Sequence, residues 1–175
     1  MEEPWVIVAL AVGITAVLAM LLFWWAVGRS RRLAAEVRRR PGTVFVVPTA
    51  MSMQTSDALR IGDRPQQTYA REGSNWYDST GSTAVLAVDG EGLAVWRPSR
   101  HGPVRVAQWP WAAIASVSTG RAQVTPLASR LGVVLDLHDG NVAELAPTTA
   151  AGFPRRGLPE LVVAQIGGTT GQNTR

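Results

Sequence analysis

Side chains that catalyse reactions or bind metals are scarce in this chain of 175 residues. The absence of Cys excludes disulfides and thiolate metal sites, and the absence of Lys excludes Schiff-base chemistry and a phosphate-loop lysine. The two histidines, His101 and His138, have no neighbour at the spacing of metal ligands. We therefore expect neither a metal site nor a cofactor.

Two short patterns suggest catalysis or phosphate binding but lack the context that such sites need. Residues 89–92, Asp-Gly-Glu-Gly, have the glycine density of a phosphate loop, yet they join two predicted strands instead of opening a helix. Ser, His and Asp all occur, without a G-x-S-x-G elbow to place a serine nucleophile. We expect that the protein is not an enzyme.

The positive charge is concentrated in one short run. All seventeen basic residues are Arg, and six of them lie in residues 29–40 with a single acid, Glu36. Residues 41–175 have eleven Arg against ten acids and are close to neutral. A nucleic-acid-binding domain needs positive charge on its folded surface, so we expect no nucleic-acid partner.

An uncharged segment of 23 residues, 5–27, precedes the arginines. As a helix with a rise of about 1.5 Å per residue it reaches roughly 34 Å, enough to cross a hydrocarbon core of about 30 Å. The alternatives are a buried core helix, which is usually shorter with a polar stripe, and a signal peptide, which begins with basic residues. The segment is predicted to be a transmembrane helix.

Residues typical of membrane interfaces flank this segment. Trp is enriched where lipid meets water, and positive charge beside a span stays in the cytoplasm. The predicted interface residues are Trp5, Trp24, Trp25, Arg29, Arg31, Arg32, Arg38, Arg39 and Arg40. We therefore expect the N-terminus outside and the remaining chain in the cytoplasm, at the inner face of the plasma membrane. The arginines are either a topology signal alone or also attract anionic lipid, at about 1 kcal/mol per charge.

The segments on either side of this boundary allow two further predictions. Residues 28–42 are predicted to form a basic juxtamembrane helix or linker that ends at Pro41 and Gly42. Within the span, Ala9 and Gly13 form a small-xxx-small pair that favours close helix approach, so a homodimer is one alternative. Such pairs also arise by chance in Ala-rich spans.

Alternating apolar residues and turn signals predict a β domain over residues 43–166. The predicted strands are 43–47 (ended by Pro48), 84–88, 93–97, 104–109, about 113 to Gly120, 133–137 and 142–145. Residues 49–82 are predicted to be mostly loop, with either a short strand near 67–71 or a helical turn. Asp89-Gly90 and Asp139-Gly140 are predicted to make tight turns with a positive backbone angle. Residues 158–166 are predicted to be a helix with one apolar face, formed by Leu158, Leu161, Val162 and Ile166, and residues 167–175 a disordered tail.

The stretch "VDGEGLAVWR…VRVAQWPWAAIASV…GVVLDLHDGNVAEL…LPELVVAQI" resembles the bacterial pleckstrin-homology-like (PH-like) fold. With the single span before it, the chain resembles small actinobacterial membrane proteins that have a PH-like domain. The resemblance covers about residues 84–166 and implies a mainly β domain, a partly open seven-stranded antiparallel barrel with a C-terminal capping helix. Eukaryotic members bind lipid headgroups through a basic loop after the first strand. The corresponding residues 48–82 have three Arg against four acids. The resemblance therefore assigns headgroup binding to no residue of this chain.

A neutral β domain tethered by a charged anchor favours a binding module. Trp109 and Trp111 are candidates for a partner surface, because exposed Trp often anchors interfaces, and the alternative is that they belong to the core and the barrel edge. The expected function is a scaffold that recruits a protein partner at the inner membrane face. The alternative is a domain that senses anionic lipid at the membrane surface.

Overall fold

A computed structural model describes residues 4–51, 55, 84–125 and 128–172 of the chain. Within these residues, helix α1 (Pro4–Arg38) is followed by seven strands and a C-terminal helix, α2 (Leu158–Gln172). The strands are β1 (Thr43–Met51), β2 (Ala84–Asp89), β3 (Gly92–Ser99), β4 (Gly102–Pro110), β5 (Ile114–Thr125), β6 (Ala128–Leu137) and β7 (Val142–Pro147). The predicted mainly β class, with an N-terminal apolar helix, antiparallel strands and a C-terminal helix, is confirmed. The strand predicted near 67–71 lies outside the described residues.

The seven strands form one open antiparallel sheet in the order β4-β3-β2-β1-β7-β6-β5. The central strand β1 pairs with β2 through residues 43–49 and with β7 through residues 49–51. It therefore joins one half of the sheet, β2 to β4, to the other half, β5 to β7. Two strands, β4 and β5, end the sheet.

The core lies between the inner faces of these two halves. Leu86 and Leu93 from one half and Leu135 and Leu145 from the other are fully buried in a single cluster. Helix α2 covers this cluster with Val162 and Ile166, which are also fully buried, so the predicted apolar face is confirmed for these two residues. Leu161, predicted on the same face, is exposed.

Strand β1 does not end at Pro48, as the sequence predicted, but continues to Met51. The Pro48 carbonyl accepts a hydrogen bond from the N–H of Thr148 at 2.8 Å. Because the N and O atoms of one strand residue point to the same side, the N–H that proline lacks falls on the β7 side and not in the β1–β2 ladder. The proline therefore costs no hydrogen bond to β2.

The two predicted hairpins are present, but one of them uses a different glycine. In the β6–β7 turn Gly140 has φ +80°, as predicted. In the β2–β3 turn the positive φ belongs to Gly92 instead of Gly90, and the Asp89 carboxylate accepts the N–H groups of Glu91 and Gly92, both at 2.9 Å. A Cβ on Gly92 would lie 2.1 Å from the Trp109 carbonyl oxygen, so the approach of β4 also requires glycine.

Two elements run past their predicted ends. Strand β5 continues through Gly120 to Thr125, because Gly120 pairs with Gly132 of β6 and the ladder goes on beyond them. Helix α2 continues to Gln172, so the prediction of a disordered tail is wrong for residues 167–172. Glycine lowers helix propensity by only about 1 kcal/mol per residue, which makes it a weak stop signal at Gly167 and Gly168.

Helix α1 has an exposed apolar half and a half that packs on the sheet. By length and composition it is the one helix among the described residues that is long and apolar enough to cross a membrane, and its apolar window is exposed. The predicted linker continues α1 as helix to Arg38. There Leu33 and Val37 are buried against Val46, Val85 and Ala87 on the outer face of β1 and β2. The β domain is therefore attached directly to the C-terminal end of the predicted span.

Candidate membrane-proximal binding site

A groove of about 430 Å³ lies between α1 and the turn that joins β3 to β4. One wall consists of α1 residues Trp24, Trp25, Gly28, Arg29, Arg32, Leu33 and Glu36, and the other of Pro98, Ser99, Arg100, Gly102 and Pro103. Three arginines and one acid give this lining a net charge of +2. The groove is therefore basic, and it begins where the uncharged segment of α1 ends.

The helix places two of the three arginines on one side. Arg29 and Arg32 are three residues apart, so both lie on the same face of α1, and both are exposed. The Arg29 guanidinium lies 5.2 Å from the centre of the Trp25 ring, within the range of a cation–π contact. Leu33, next to Arg32 in the chain, is buried against the sheet, which fixes the orientation of α1 and therefore the side on which these two arginines lie.

The β3–β4 turn supplies the third arginine from the opposite wall. The ladder between these strands extends to its last pair, Ser99 and Gly102, so Arg100 lies at the tip of a tight turn. Gly102 has φ +111°, and the N–H of His101 donates to the Ser99 hydroxyl at 3.4 Å. The backbone of the turn therefore holds Arg100 facing the α1 arginines across the groove.

Arg40 fastens this turn to the end of α1. Its guanidinium lies 4.2 Å from the centre of the Trp96 ring, and its Nη2 donates to the Pro103 carbonyl at 3.5 Å. Arg105 approaches the same Trp96 ring at 5.8 Å. The two walls of the groove are thus joined through Arg40 and Trp96, which restricts how far the groove can open.

The chemistry of the lining suits a phosphate that belongs to an amphipathic molecule. Guanidinium groups match phosphate oxygens in pairs of hydrogen bonds, and the Ser99 hydroxyl is a further donor. The Trp24 and Trp25 rings are about two-thirds exposed and offer apolar surface beside the basic groups. This combination of indole rings and arginines is typical of the zone where lipid headgroups meet hydrocarbon.

The predicted interface residues divide into two groups along α1. Trp5, Trp24 and Trp25 are strongly exposed at the two ends of the uncharged segment, and Arg29, Arg31 and Arg32 follow within two turns. Arg38, Arg39 and Arg40 lie about 20 Å farther along the axis than Trp25, at a rise of about 1.5 Å per residue. Arg40 in addition contacts Trp96. Arg40 therefore holds the β domain, and this second arginine cluster lies too far along the axis to contact an interface at the level of Trp25.

Trp109 is not available to a partner, which corrects one of the two predicted surface residues. It is buried, with 3 % of its surface exposed, and belongs to the core cluster. Trp111 is half-buried against the same cluster, and its Nε1 donates to the Asp89 carbonyl at 3.2 Å. The alternative interpretation, a core Trp beside an edge Trp, describes this pair.

The whole wall formed by the β3–β4 turn, including Ser99 and Arg100, was not predicted from the sequence, because its place opposite α1 depends on the tertiary packing. A local signal existed for that packing, since Leu33 and Val37 are four residues apart in an otherwise basic helix. The two histidines do not share a site: His101 is exposed beside Arg100, and His138 is exposed at the β6–β7 turn.

Comparison with known proteins gives no match, either to a protein-family model or to a curated protein.

Proposed function

We propose that this chain is a single-pass membrane protein whose cytoplasmic β domain is a PH-like binding module held at the inner face of the plasma membrane. The uncharged segment 5–27 followed by arginines supports the anchor and its orientation, with the N-terminus outside. Seven antiparallel strands and a helix that covers the core support the PH-like interpretation, since the resemblance implies a seven-stranded antiparallel domain with a capping helix.

The ligand class that the geometry favours is the headgroup of an anionic lipid. One observation supports it above all: Arg29 and Arg32 from α1 and Arg100 from the β3–β4 turn line one groove beside Trp24 and Trp25. In a chain anchored through residues 5–27 this groove opens at headgroup depth, so a lipid of the same membrane reaches it by lateral diffusion. Binding then needs no ligand from solution.

Recruitment of a protein partner is the function that the sequence favours first, with lipid sensing as the alternative. Trp109 is buried, so the predicted partner surface is reduced to the half-buried Trp111. A homodimer through Ala9 and Gly13 also stays a prediction, and both residues are exposed on α1. We therefore give lipid binding precedence.

The test is lipid retention by the full-length protein. The chain is reconstituted in nanodiscs of phosphatidylcholine with phosphatidylglycerol. Native mass spectrometry releases the protein from the nanodisc into the gas phase and counts the lipids that stay bound to it. The double variant Arg32→Gln/Arg100→Gln removes two groove charges worth about 1 kcal/mol each, so its affinity for phosphatidylglycerol falls roughly 30-fold.

The matched control is Arg38→Gln/Arg39→Gln, which removes the same charge at the C-terminal end of α1, outside the groove. It is expected to retain phosphatidylglycerol within about threefold of the unmodified chain, less than 1 kcal/mol. Equal losses in both double variants would indicate unspecific attraction by the arginine run. Retention unchanged in the groove variant would reject the groove as a lipid site.

A further inference from the structure

The turn between β7 and α2 places an exposed phenylalanine beside the apolar half of α1. Phe153 is 60 % exposed, and its ring centre lies 6.2 Å from that of Phe23, with the rings tilted by 40°. Phe23 belongs to the uncharged segment 5–27 and directly precedes Trp24. Whatever depth Phe23 takes in a membrane, Phe153 takes nearly the same depth.

The backbone of this turn holds Phe153 in a defined position. Thr149 donates its N–H to the Phe153 carbonyl at 2.9 Å, and the Thr149 hydroxyl accepts the N–H of Phe153 at 3.2 Å. Gly152 has φ +79°, and its N–H donates to the Thr149 carbonyl at 2.8 Å. From β6, Arg130 Nη1 donates to the Gly152 carbonyl at 3.2 Å. Phe153 is therefore held by a hydrogen-bonded turn, which lowers the conformational entropy that the turn loses when the ring enters lipid.

The residues that follow Phe153 are also of types that suit a lipid surface. Pro154, which has no N–H to desolvate, and the two arginines Arg155 and Arg156 are all exposed. An apolar tip with basic neighbours combines hydrocarbon burial with attraction to anionic headgroups. The groove arginines lie elsewhere, between α1 and the β3–β4 turn. The surface around Phe153 is therefore separate from the groove.

We propose that the turn 149–156 inserts Phe153 into the cytoplasmic interface of the same membrane that α1 crosses. The inference rests on the proposed membrane anchoring. The partner of this surface is the lipid bilayer, because Phe153 is continuous with Phe23 of the apolar segment. Because α1 and the β domain are packed together, a second attachment beside the helix fixes the orientation of both relative to the membrane, which a single span alone leaves free.

The test measures the depth of single labelled positions in the full-length chain, which has no native Cys. Phe153→Cys, Val17→Cys and Val44→Cys are each labelled with an NBD fluorophore and reconstituted in phosphatidylcholine–phosphatidylglycerol vesicles. Val17 lies in the middle of segment 5–27 and reports the anchor. Val44 is a matched control, since it is exposed to the same 60 % as Phe153. It adjoins the end of α1, about 21 Å along the axis from Phe23.

We expect the emission of the labels at 17 and 153 to shift to the blue and to be quenched by doxyl-labelled lipid, while the label at 44 behaves as in water. If the label at 153 matches that at 44 while the label at 17 is quenched, the insertion is wrong and the anchoring stands. If the label at 17 is not quenched, the anchoring fails, and the insertion with it.

A second pair of variants tests whether the phenylalanine ring itself drives insertion. The label is placed on the neighbouring Ala151→Cys, once with Phe153 present and once with Phe153→Ser. The proposal expects the lipid quenching to fall by at least half in the serine variant. Equal quenching in both would overturn the role of Phe153, because the label would then lie in lipid without it.

Discussion

The hydroxyl of Thr55 completes the backbone pairing of a strand from a distant point of the chain. Thr55 is 2 % exposed, and its Oγ1 accepts the N–H of Glu144 at 2.6 Å and donates to the Glu144 carbonyl at 3.2 Å. The register of β1 with β7 begins one residue later, at Leu145. The Thr55 side chain thus takes the place of a neighbouring strand for both polar groups of Glu144.

Thr55→Val keeps the shape of the side chain and removes these two hydrogen bonds. Because buried backbone groups then lose their partner, the free energy of unfolding is expected to fall by about 1–3 kcal/mol. The measurement is urea unfolding of the full-length protein in detergent, followed by Trp fluorescence. Thr55→Ser keeps the hydroxyl and is expected to lose clearly less than the valine variant. Equal stability of Thr55→Val and the unmodified chain would contradict this role.

Single residues were predictable where a local pattern defines them. The alternation of Val133, Leu135 and Leu137 predicts a buried face, and all three are buried. The need for glycine at position 92 was not predictable, because it arises from the carbonyl of Trp109 on another strand. The residues next to Trp109 in the sequence likewise did not show whether its side chain is buried or exposed.

At the scale of an element, α1 combines an exposed apolar half with a basic half that packs on the sheet. The continuation of the helix to Arg38 follows from good helix formers ahead of the helix breaker Pro41, and helix was one of the two alternatives predicted for residues 28–42. The packing was missed because the high density of arginine suggested a solvated linker. Leu33 and Val37 nevertheless form an apolar pair at helical spacing, which the β1–β2 face covers.

Leu33→Ala is expected to lower the free energy of unfolding of the β domain by about 2–5 kcal/mol, the usual effect of a buried leucine truncation. Leu22→Ala is the matched control on the same helix, since Leu22 is 66 % exposed. Its effect is expected within about 0.5 kcal/mol. Both are measured by urea unfolding in the same detergent. A loss under 1 kcal/mol for Leu33→Ala would mean that α1 does not stabilise the domain.

At the scale of the whole molecule, the described residues form a β domain packed against the C-terminal part of the long helix α1. Contacts of Leu33, Val37 and Arg40 with the sheet and with Trp96 make the helix and the domain move together. The sequence predicted the order of the elements from turn signals and alternation. It did not predict the groove, because the approach of the β3–β4 turn to α1 joins residues about 70 positions apart along the chain.

The central claim is that segment 5–27 crosses the membrane and leaves the β domain on the cytoplasmic side. The most direct measurement is labelling of single cysteines by a membrane-impermeant maleimide in intact cells, in a chain with no native Cys. Ser129→Cys, exposed on β6, is expected to resist labelling until the cells are permeabilised, while Glu3→Cys is labelled without permeabilisation. Labelling of Ser129→Cys in intact cells would contradict the account, because the domain and both lipid contacts would then lie on the other side of the membrane.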